Sequence, residues 1–400
     1  MAAGIKEKSY DERLHPYDIF LPFIHLIDVC IFIMKQKFSI IRTMPLCAIL
    51  LSTCFMLSCG SDDNVAAPAA ARLLGLDVST QAETQSYDQA FDLGMTTGAE
   101  FITLSLTWDL LEPTKGDYTT GSLMYLLDIA NSYYPAKGTK VALGINPIDT
   151  VYKGLPAGMT STDFDSAEVI TQYKLLLDKV FDHIKDLELA CLSIGNEVDI
   201  YLAAHPAELA KYQAFYEAAA DYARSKRSGL TVGFKATHSG LTGASKTDMK
   251  AMNLHSDAVL ATYYPLNADF TVKATTAVDA DFDAIVAEYP DTPIYFLEAG
   301  YPGSATCGSS DDAQSDFIVK VFSAWDRHAG SIGAVTFAWL TDLSETKAQE
   351  YVTYYGMSGD PNETRFKEYL RSLGLRTYPG AGADKKAFTT LKSEAAARGW

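Results

Sequence analysis

Short apolar runs alternate with longer amphipathic segments over most of this chain, and that alternation is the strongest constraint on its fold. The runs are mostly continuous in apolar residues, which is typical of parallel strands covered on both faces. They occupy residues 73–78, 101–106, 140–146, 189–195, 231–235, 257–263, 293–297 and 334–338. Eight strands with a helix between successive members predict an α/β fold, a (β/α)8 TIM barrel formed by residues 71–400 as a single domain.

The segments between the runs repeat apolar residues at helical spacing. Val169, Tyr173 and Leu176 form one such stripe, and Phe317 and Val321 belong to another. These stripes predict outer helices that pack against the strands. A doubly wound open sheet is the alternative, but no Gly-rich phosphate loop follows the first run, as a dinucleotide-binding sheet would require.

The first 58 residues are predicted to be a leader that does not belong to the fold. Basic residues at 34–37 precede an apolar stretch at 44–57, which is the layout of a signal peptide. Met-Leu-Ser before Cys59 resembles a bacterial lipobox, and the resemblance implies that Cys59 is acylated and becomes the mature N-terminus. An ordinary secretory cleavage nearby is the alternative.

Two further features accompany this leader. Residues 1–33 precede a convincing start at Met34 and are interpreted as an overcalled translation start, with a true N-terminal anchor as the alternative. Residues 59–70 are predicted to be a flexible tether. Gly60, directly after the cysteine, favours an outer membrane lipoprotein over inner-membrane retention, and the acidic residues that follow favour exposure at the cell surface.

The charge and cysteine content restrict the partners of the protein. With 50 acidic and 33 basic residues, the chain has a net charge of −17 and repels nucleic acid. A neutral polysaccharide or oligosaccharide is a compatible partner, and membrane contact is expected through the lipid anchor only. Cys191 and Cys307 are expected at different levels of the barrel, too far apart for a disulfide. We expect a monomer. We also expect no metal or cofactor, since the sequence shows no metal-ligand spacing.

Two glutamates each follow or end an apolar run. Glu197 closes the fourth predicted strand and Glu298 the seventh. TIM-barrel active sites are built at the C-terminal ends of the strands, where these two strands face each other across the mouth. Carboxyl groups about 5 Å apart would have the spacing for cleaving a glycosidic bond with retention of configuration. For either glutamate alone, a surface acid at a strand end is the alternative interpretation.

Asn196-Glu197 on the fourth strand, paired with a glutamate that ends the seventh, resembles clan A of the glycoside hydrolases. The resemblance implies that Glu197 is the acid/base, that Glu298 is the nucleophile and that Asn196 contacts the sugar 2-hydroxyl. The Tyr-Tyr-Pro at 263–265 and Glu298-Ala-Gly-Tyr-Pro resemble family 53 arabinogalactan endo-β-1,4-galactanases. Gly-Asn-Glu-Val and Glu-x-Gly-aromatic-Pro are also similar to family 17 β-1,3-glucanases. Neither resemblance determines a substrate.

Other residues at strand ends are candidate substrate contacts. The resemblance implies a tyrosine that hydrogen-bonds the nucleophile, with Tyr264 preferred to Tyr263, although packing is an alternative role for both. It also implies that Trp339 forms the floor of the sugar site, where an indole face can stack on sugar C–H groups. The remaining candidates, which are equally compatible with structural roles, are Trp108, Asn146, Asp77 and His238.

The second strand departs from the clan pattern. Many clan A families have an arginine at the end of this strand that supports the nucleophile, and residues 101–108 contain none. Either Thr103, Ser105 or another group supports Glu298, or the family is one that lacks this arginine.

Together these features predict a retaining glycoside hydrolase acting on β-glycosidic bonds of a neutral, galactan- or glucan-like polysaccharide. A carbohydrate-binding lipoprotein that kept the barrel without catalysis is the alternative. Two desolvated neighbouring acids argue against it, because a binding protein gains nothing from burying them. Transglycosylation uses the same intermediate and stays open, as do the sugar, the linkage and the choice between endo and exo action.

Overall fold

A computed structural model describes residues 72–400, so the predicted leader, the tether and Cys59 lie outside the described residues. A barrel of parallel strands forms the centre of the molecule, and all eight predicted strands are present in it. The strands are β1 (Leu73–Leu76), β2 (Phe101–Thr107), β3 (Lys140–Asn146), β4 (Leu189–Ser193), β5 (Val232–Gly233 and Lys235–Thr237), β6 (Val259–Tyr263), β7 (Ile294–Ala299) and β8 (Ile332–Phe337).

The barrel closes through β5, which is divided at Phe234. Its first part, Val232–Gly233, pairs with β4, and its second part, Lys235–Thr237, pairs with β6. The other strands pair with their neighbours in sequence, and β8 returns to pair with β1 in register. The predicted TIM barrel is therefore confirmed.

Helices lie on the outside of the barrel and at its mouth. They are α1 (Tyr87–Met95), α2 (Trp108–Leu111), α3 (Tyr125–Lys137), α4 (Ala167–His183), α5 (Val198–Ala204), α6 (Leu209–Lys226), α7 (His238–Thr242), α8 (Lys246–Asn253), α9 (Ala277–Glu288), α10 (Asp311–Arg327), α11 (Glu345–Tyr354), α12 (Glu363–Arg371) and α13 (Lys386–Ala396). The predicted stripes fall on α4 and α10, where Tyr173 and Trp325 are fully buried. Within the described part of the chain, no helix combines the length and hydropathy of a membrane span.

Serine residues define where several of these helices begin. Ser86, Ser166, Ser310 and Ser344 precede α1, α4, α10 and α11, and each side chain accepts a hydrogen bond from a backbone N–H in the first turn. Such caps satisfy N–H groups that the helix itself leaves without a partner. Local sequence therefore sets the ends of these helices, while burial of their apolar faces holds them against the strands.

The chain between β8 and α13 forms an additional layer over the barrel mouth. Its helices α11 and α12, here called the roof helices, pack around an apolar cluster that includes Val352, Phe366 and Leu370. Tyr264 and Trp339, at the ends of β6 and β8, pack against the same cluster. The roof helices thus cover one side of the region where a TIM barrel carries its active site.

The two cysteines of the described region are free, buried thiols. Cys191 lies within β4 and Cys307 in the 3-10 helix Ala305–Cys307 after β7. Cys307 belongs to the roof cluster, whereas Cys191 packs with residues inside the barrel. The two thiols therefore occupy different levels of the fold, and the prediction that they form no disulfide is confirmed.

Candidate active site

A cavity of about 1190 Å³ opens at the carboxyl ends of the strands. Every strand end contributes to its lining, as do the roof helices. Each strand, or the segment just after it, places at least one residue in the lining. In order from β1 to β8, examples are Asp77, Ser105, Asn146, Glu197, Lys235, Thr262, Glu298 and Trp339. The two predicted catalytic glutamates thus line the same cavity.

Glu197 sits in a sharp turn between β4 and α5. Gly195 has a φ of 99° and Glu197 a φ of 44°, both in the left-handed region. A Cβ on Gly195 would lie 2.4 Å from Tyr212 Oη, so both the backbone angle and the packing require glycine. A glutamate in a left-handed conformation is uncommon, and such backbone strain clusters at functional sites. The turn directs Glu197 into the cavity at the N-terminus of α5.

The Glu197 carboxyl group is held by two hydroxyl donors. Thr262 Oγ1 donates to Oε1 at 2.7 Å, and Thr150 Oγ1 donates to Oε2 at 2.9 Å. Burial raises the pKa of Glu197 to about 7, the charge of Glu298 adds to the rise, and the Thr262 hydrogen bond opposes it. A carboxyl group with this pKa can hold a proton near neutral pH and release it during a reaction.

Glu298 has a different environment, in which a cation and a phenol face its two oxygens. Lys235 Nζ on β5 lies 2.6 Å from Oε1, and Tyr264 Oη donates to Oε2 at 2.9 Å. Burial acts to lower the pKa of Lys235, but attraction to Glu298, Glu197 and Asp149 outweighs it and the pKa lies above its usual value. Lys235 is therefore held as a cation beside Glu298.

Thr262 joins the two glutamates. It is the neighbour of Glu298 in the register between β6 and β7, and its hydroxyl donates to Glu197. Paired residues on neighbouring strands lie about 4.8 Å apart. The charge of Glu298 contributes to the raised pKa of Glu197. The structure thus brings together the two acids that the sequence singled out.

Asn196 contacts the hairpin that follows β3. Its Nδ2 donates to Asp149 Oδ1 at 2.7 Å, while its buried Oδ1 has no hydrogen-bond partner within residues 72–400. Asn146 at the end of β3 shows the same pattern, since its Nδ2 donates to Ser105 Oγ at 2.7 Å and its Oδ1 lacks a partner in that region. Buried amide oxygens without partners are costly. Both residues line the cavity.

The adjacent residues Tyr263 and Tyr264, at the end of β6, have different hydrogen-bond partners. Tyr264 Oη contacts Glu298, as described above, whereas Tyr263 Oη donates to Asp281 at 2.9 Å. The Tyr263 ring is 1% exposed and packs edge-on against Phe282 and other rings. Tyr263 is therefore largely a core residue at the edge of the cavity.

Asp77 and His238 also line the cavity but have local hydrogen bonds. Asp77 accepts from the Ser79 backbone N–H at 2.8 Å, and burial raises its pKa. His238 Nε2 lies 2.8 Å from the Asp281 carbonyl oxygen, and burial lowers its pKa. His238 begins α7 and Asp77 follows β1, so the two lie on different sides of the mouth.

The position of Trp108 differs from the one that the sequence predicted. Its side chain is fully buried, and its ring contacts Tyr173 edge-on and stacks with Phe215. The indole N–H donates to Glu112 Oε2 at 2.8 Å. The reason is that the chain turns into α2 immediately after β2, which directs the ring into the helix layer instead of the cavity. The interpretation of Trp108 as a substrate contact was wrong.

Trp339 lines the cavity at the end of β8 and is partly buried. Its ring stacks with Tyr351 of α11, with centroids 6.3 Å apart. Tyr354 and Tyr369, on the roof helices, and Tyr355, just after α11, also line the cavity. Sequence analysis did not identify these tyrosines, because their spacing on α11 and α12 is that of ordinary helix packing.

Lys235, Thr150 and Thr262 are further site residues that sequence analysis did not identify. Lys235 carried a usable signal, because a lysine inside an otherwise apolar strand must find a buried partner. It pairs with Glu298 from β5, whereas the second strand has no arginine. Thr103 and Ser105, the alternatives considered for that role, line the cavity, but the ion pair to Glu298 comes from β5. No cluster of His, Cys, Asp and Glu suited to a metal ion occurs among the residues that the structure describes.

No protein-family model matches the sequence, and no curated protein matches it. Solved structures do match. A GH5_18 protein from Bifidobacterium longum subsp. longum in complex with Manβ1-4GlcNAc aligns with a TM-score of 0.62 and 14% identity, over 82% of this chain and 78% of that chain. An exo-beta-1,4-mannosidase from Opitutaceae bacterium strain TAV5 has a TM-score of 0.60 and 15% identity, over 82% and 59%.

A third neighbour, a beta-glucosidase, aligns with a TM-score of 0.55 and 14% identity, over 77% of this chain and 87% of that chain. Several of the solved neighbours are named as GH5_18 proteins. At these identities the likeness shows the shared fold. The resemblance of short motifs to families 53 and 17 is not confirmed by these neighbours.

Proposed function

We propose that this protein is a retaining β-glycoside hydrolase in which Glu298 is the nucleophile and Glu197 the acid/base. The observation that carries the proposal is the contrast between two acids in one cavity. Glu197 has a pKa raised to about 7, whereas Glu298 is paired with the Lys235 ammonium group. One carboxyl group is suited to donate a proton and the other to attack as an anion.

In the first step, a Glu298 oxygen attacks the anomeric carbon and the bond from that carbon to the glycosidic oxygen breaks. Glu197 gives its proton to the departing oxygen, so the leaving group is released as a neutral alcohol. The product is a glycosyl ester on Glu298. In the second step, Glu197 takes a proton from water, the water oxygen bonds to the anomeric carbon, and the Glu298 carboxylate is released. Two inversions give net retention.

The same two charges make the second step possible. Formation of the ester removes the negative charge of Glu298, which is one of the causes that raise the pKa of Glu197. The Lys235 ammonium group stays in place, without its former counter-ion. Both changes lower the affinity of Glu197 for a proton, so the acid of the first step becomes the base of the second.

The lining of the cavity supports a neutral sugar as substrate. Trp339 and the roof tyrosines supply apolar ring faces, and polar residues such as Asn146 and Asn196 line the same cavity. Galactan- and glucan-like chains follow from the motif resemblances. Solved neighbours include a mannosidase and a glucosidase, so β-mannosides, β-glucosides and β-galactosides are the first substrates to test.

Covalent trapping tests the proposal directly. We expect 2-deoxy-2-fluoro β-glycosides of the three sugars to include one that esterifies the protein, with the label on the peptide containing Glu298. Glu298→Ala should lower turnover by at least about 10³-fold. Azide should restore activity to Glu298→Ala with a product of inverted configuration, and to Glu197→Ala with a product of retained configuration.

A matched control and a contrary result complete this test. Glu188→Gln changes an exposed acid just before β4, paired with Lys140 at the opposite end of the barrel, and should leave turnover unchanged. A non-catalytic carbohydrate-binding protein would bind oligosaccharide equally well with or without Glu298→Ala and would take no label. That combination of results would contradict the proposal that the protein is a hydrolase.

We also propose that the enzyme is a monomeric lipoprotein of the outer membrane, acylated at Cys59. The lipobox-like sequence and the tether of residues 59–70 support this. Expression of the full chain in a bacterium should give a detergent-phase product whose N-terminal peptide carries a diacylglyceryl mass. Cys59→Ala should move the protein to the soluble fraction without loss of specific activity. Retention of membrane association in that variant would contradict the proposal.

A further inference from the structure

The hairpin after β3, residues 148–153, lies against the turn between β4 and α5. The Asn196 backbone N–H donates to the Ile148 carbonyl oxygen at 2.9 Å, and the Thr150 N–H donates to the Asn196 carbonyl oxygen at 2.9 Å. Asp149 and Asn196 thus pair as residues of parallel strands do. The hairpin therefore fixes the backbone of the residue directly before the proposed acid/base.

Thr150 brings a hydroxyl group to the acid/base in a strained backbone conformation. Its Oγ1 donates to Glu197 Oε2 at 2.9 Å, and the residue is buried. Its φ of 49° lies in the left-handed region, which is an outlier for a β-branched residue. Such conformations persist only where surrounding contacts hold them, and they cluster at functional sites. Here the hydrogen bonds between hairpin and turn supply those contacts.

Asp149 connects the same turn to the roof helices. Its Oδ1 accepts a hydrogen bond from Asn196 Nδ2 at 2.7 Å, and its Oδ2 accepts one from Tyr354 Oη on α11 at 2.9 Å. Two different elements thus engage the two oxygens of one carboxyl group. The Tyr354 ring also lies beside Tyr152 of the hairpin, with centroids 6.2 Å apart. Through Asp149, α11 supports the side chain of Asn196.

Two further contacts hold the hairpin in place. Tyr152 Oη donates to Asp109 Oδ2 on α2 at 2.5 Å. Lys153 Nζ lies 3.0 Å from Glu208 Oε2, in the short 3-10 helix before α6. Together with the contact to α11, these bonds tie the hairpin to three separate parts of the fold. Support of this kind is what keeps a reactive side chain in its productive geometry.

The two oxygens of Glu197 are held by different parts of the fold. Thr262 belongs to β6 and donates to Oε1, whereas Thr150 belongs to the hairpin and donates to Oε2. Burial is the main cause of the raised pKa of Glu197, and both threonine hydrogen bonds oppose it because they favour the ionised form. Ionised Glu197 is the form left after proton donation, and it acts as base in the second step.

We propose that the hairpin after β3 positions the acid/base, with Thr150 orienting the Glu197 carboxyl group directly and Asp149 acting through Asn196. The inference rests on the proposed function, to which it adds the residues that keep the proton donor beside the leaving group. Proton donation matters most when the leaving group is a poor one, such as an alkoxide, and least when it is an activated phenolate. Loss of positioning should therefore slow the cleavage of alkyl glycosides selectively.

The ratio of kcat/KM for an alkyl and an activated aryl glycoside tests the proposal. The probes are methyl and 2,4-dinitrophenyl β-glycosides of mannose, glucose and galactose, and of their β-1,4-linked disaccharides. Thr150→Val removes the hydroxyl group, and we expect it to lower kcat/KM for the methyl glycoside about tenfold. The value for the matching 2,4-dinitrophenyl glycoside should change little. Thr150→Ser keeps the hydroxyl group and should restore cleavage of the methyl glycoside.

Thr97→Val is the matched control. Thr97 is a buried threonine whose Oγ1 donates to the Gly94 carbonyl oxygen at 2.7 Å, at the end of α1 and outside the cavity. This variant should leave the ratio unchanged. An unchanged ratio in Thr150→Val, whether the two values fall equally or not at all, would overturn the proposal. So would a Thr150→Ser variant that behaves as Thr150→Val does.

Variants of Asp149 test the action through Asn196. Asp149→Ala removes both hydrogen bonds and should also lower kcat/KM for the methyl glycoside about tenfold, with little change for the 2,4-dinitrophenyl glycoside. Asp149→Asn keeps an oxygen for Asn196 and offers an N–H group to Tyr354 Oη, so it should recover most of the loss. Equal losses for both glycosides in correctly folded Asp149→Ala would contradict the proposal. If Asp149→Ala does not fold, the Thr150 variants decide.

The pH profile gives a readout that a purely structural role would not change. Thr150→Val removes a hydrogen bond to ionised Glu197, so the pKa of Glu197 should rise and the basic limb of kcat/KM should move to higher pH. Thr97→Val should not move it, and an unmoved limb in Thr150→Val would contradict the proposal. The other titratable groups that interact with Glu197 are unaltered in these variants, namely Glu298, Asp199, Lys235, Tyr264, Tyr355 and Tyr369.

Labelling of Glu298 separates this inference from the function on which it rests. If the unaltered enzyme is labelled at Glu298 and cleaves a probe, but the ratio is the same in Thr150→Val, only the inference fails. If no probe is cleaved and Glu298 takes no label, the proposed function fails and the inference fails with it.

Discussion

Lys235 Nζ lies 2.6 Å from Glu298 Oε1, and this ion pair crosses from β5 to β7 inside the cavity. The lysine is 4% exposed. A buried ammonium group is stable only when it is paired, so the two residues depend on each other. Since Tyr264 holds the other oxygen of Glu298, both oxygens of the carboxyl group are fixed in position.

Replacement of Lys235 should therefore lower the rate of attack by Glu298. We expect Lys235→Met to reduce kcat/KM by about 10²-fold, comparable to the loss of one preorganised electrostatic contact. Steady-state kinetics with a 4-nitrophenyl β-glycoside would measure this effect. Lys140→Met, which alters an exposed ion pair at the other end of the barrel, should leave kcat/KM unchanged.

The raised pKa of Glu197 predicts the basic limb of the pH profile. In the free enzyme Glu197 must carry its proton to act as acid, so kcat/KM should fall as pH rises through about 7. Glu197→Gln should abolish this limb for substrates with activated leaving groups, which leave without protonation. Rates measured from pH 4 to pH 10 would show it. A basic limb that survives in Glu197→Gln would assign the titration to another group.

Burial of Glu197 also makes the stability of the folded protein depend on pH. The folded protein raises the pKa from 4.5 to about 7, so it holds the proton more tightly than the unfolded chain does. The stabilising contribution is complete below about pH 4.5 and is lost as pH rises through about 7, an effect of at most about 3 kcal/mol.

Glu197→Gln should remove this dependence, because an amide does not ionise. Relative to the unaltered protein, the variant should gain stability between pH 5 and pH 8, measured by denaturant unfolding at each pH. Glu188→Gln, which changes an exposed acid, should show no such gain. Parallel curves for the Glu197→Gln and unaltered proteins would contradict the assignment of a perturbed pKa to Glu197.

The turn before Glu197 should tolerate no side chain at Gly195. Gly195→Ala places a Cβ 2.4 Å from Tyr212 Oη at a φ of 99°, and we expect a loss of about 2–4 kcal/mol in unfolding free energy. Gly229→Ala is the matched control, since Gly229 has a φ of 76° but no atom within 4 Å of the added Cβ. The difference between the variants measures the clash alone, and equal losses would show that packing against Tyr212 is unimportant.

The strands were predictable because their signal is local. Buried parallel strands are continuous apolar runs, and β3 has the predicted bounds, Lys140–Asn146. The other strands differ from prediction by a few residues at their ends, where hydrogen bonding and not hydropathy sets the limit. The interruption of β5 at Phe234 was not predicted, because it depends on the two strands that compete to pair with it.

The candidate site was predictable only where a residue ends a strand. Glu197, Glu298 and Asn196 were found because the C-terminal ends of barrel strands meet at one mouth. The same rule failed for Trp108, whose ring turns into the helix layer with the short helix α2. Lys235 ended the predicted fifth strand and was still not singled out, although in the structure it lies within β5 and reaches Glu298.

The order of apolar runs and helical stripes determined, without any coordinates, that the chain forms a barrel and which two acids lie at its mouth. Both predictions depend on the pattern of apolar residues, which repeats every few residues and is visible in the sequence itself. The contact of Tyr264 with Glu298 was already implied by the resemblance. Tertiary structure alone decided the other partners of those acids, with Lys235 on Glu298 and Thr150 and Thr262 on Glu197. It also decided the hydrogen bond from Tyr354 to Asp149, because contacts across 205 positions of sequence depend on the geometry of the closed barrel.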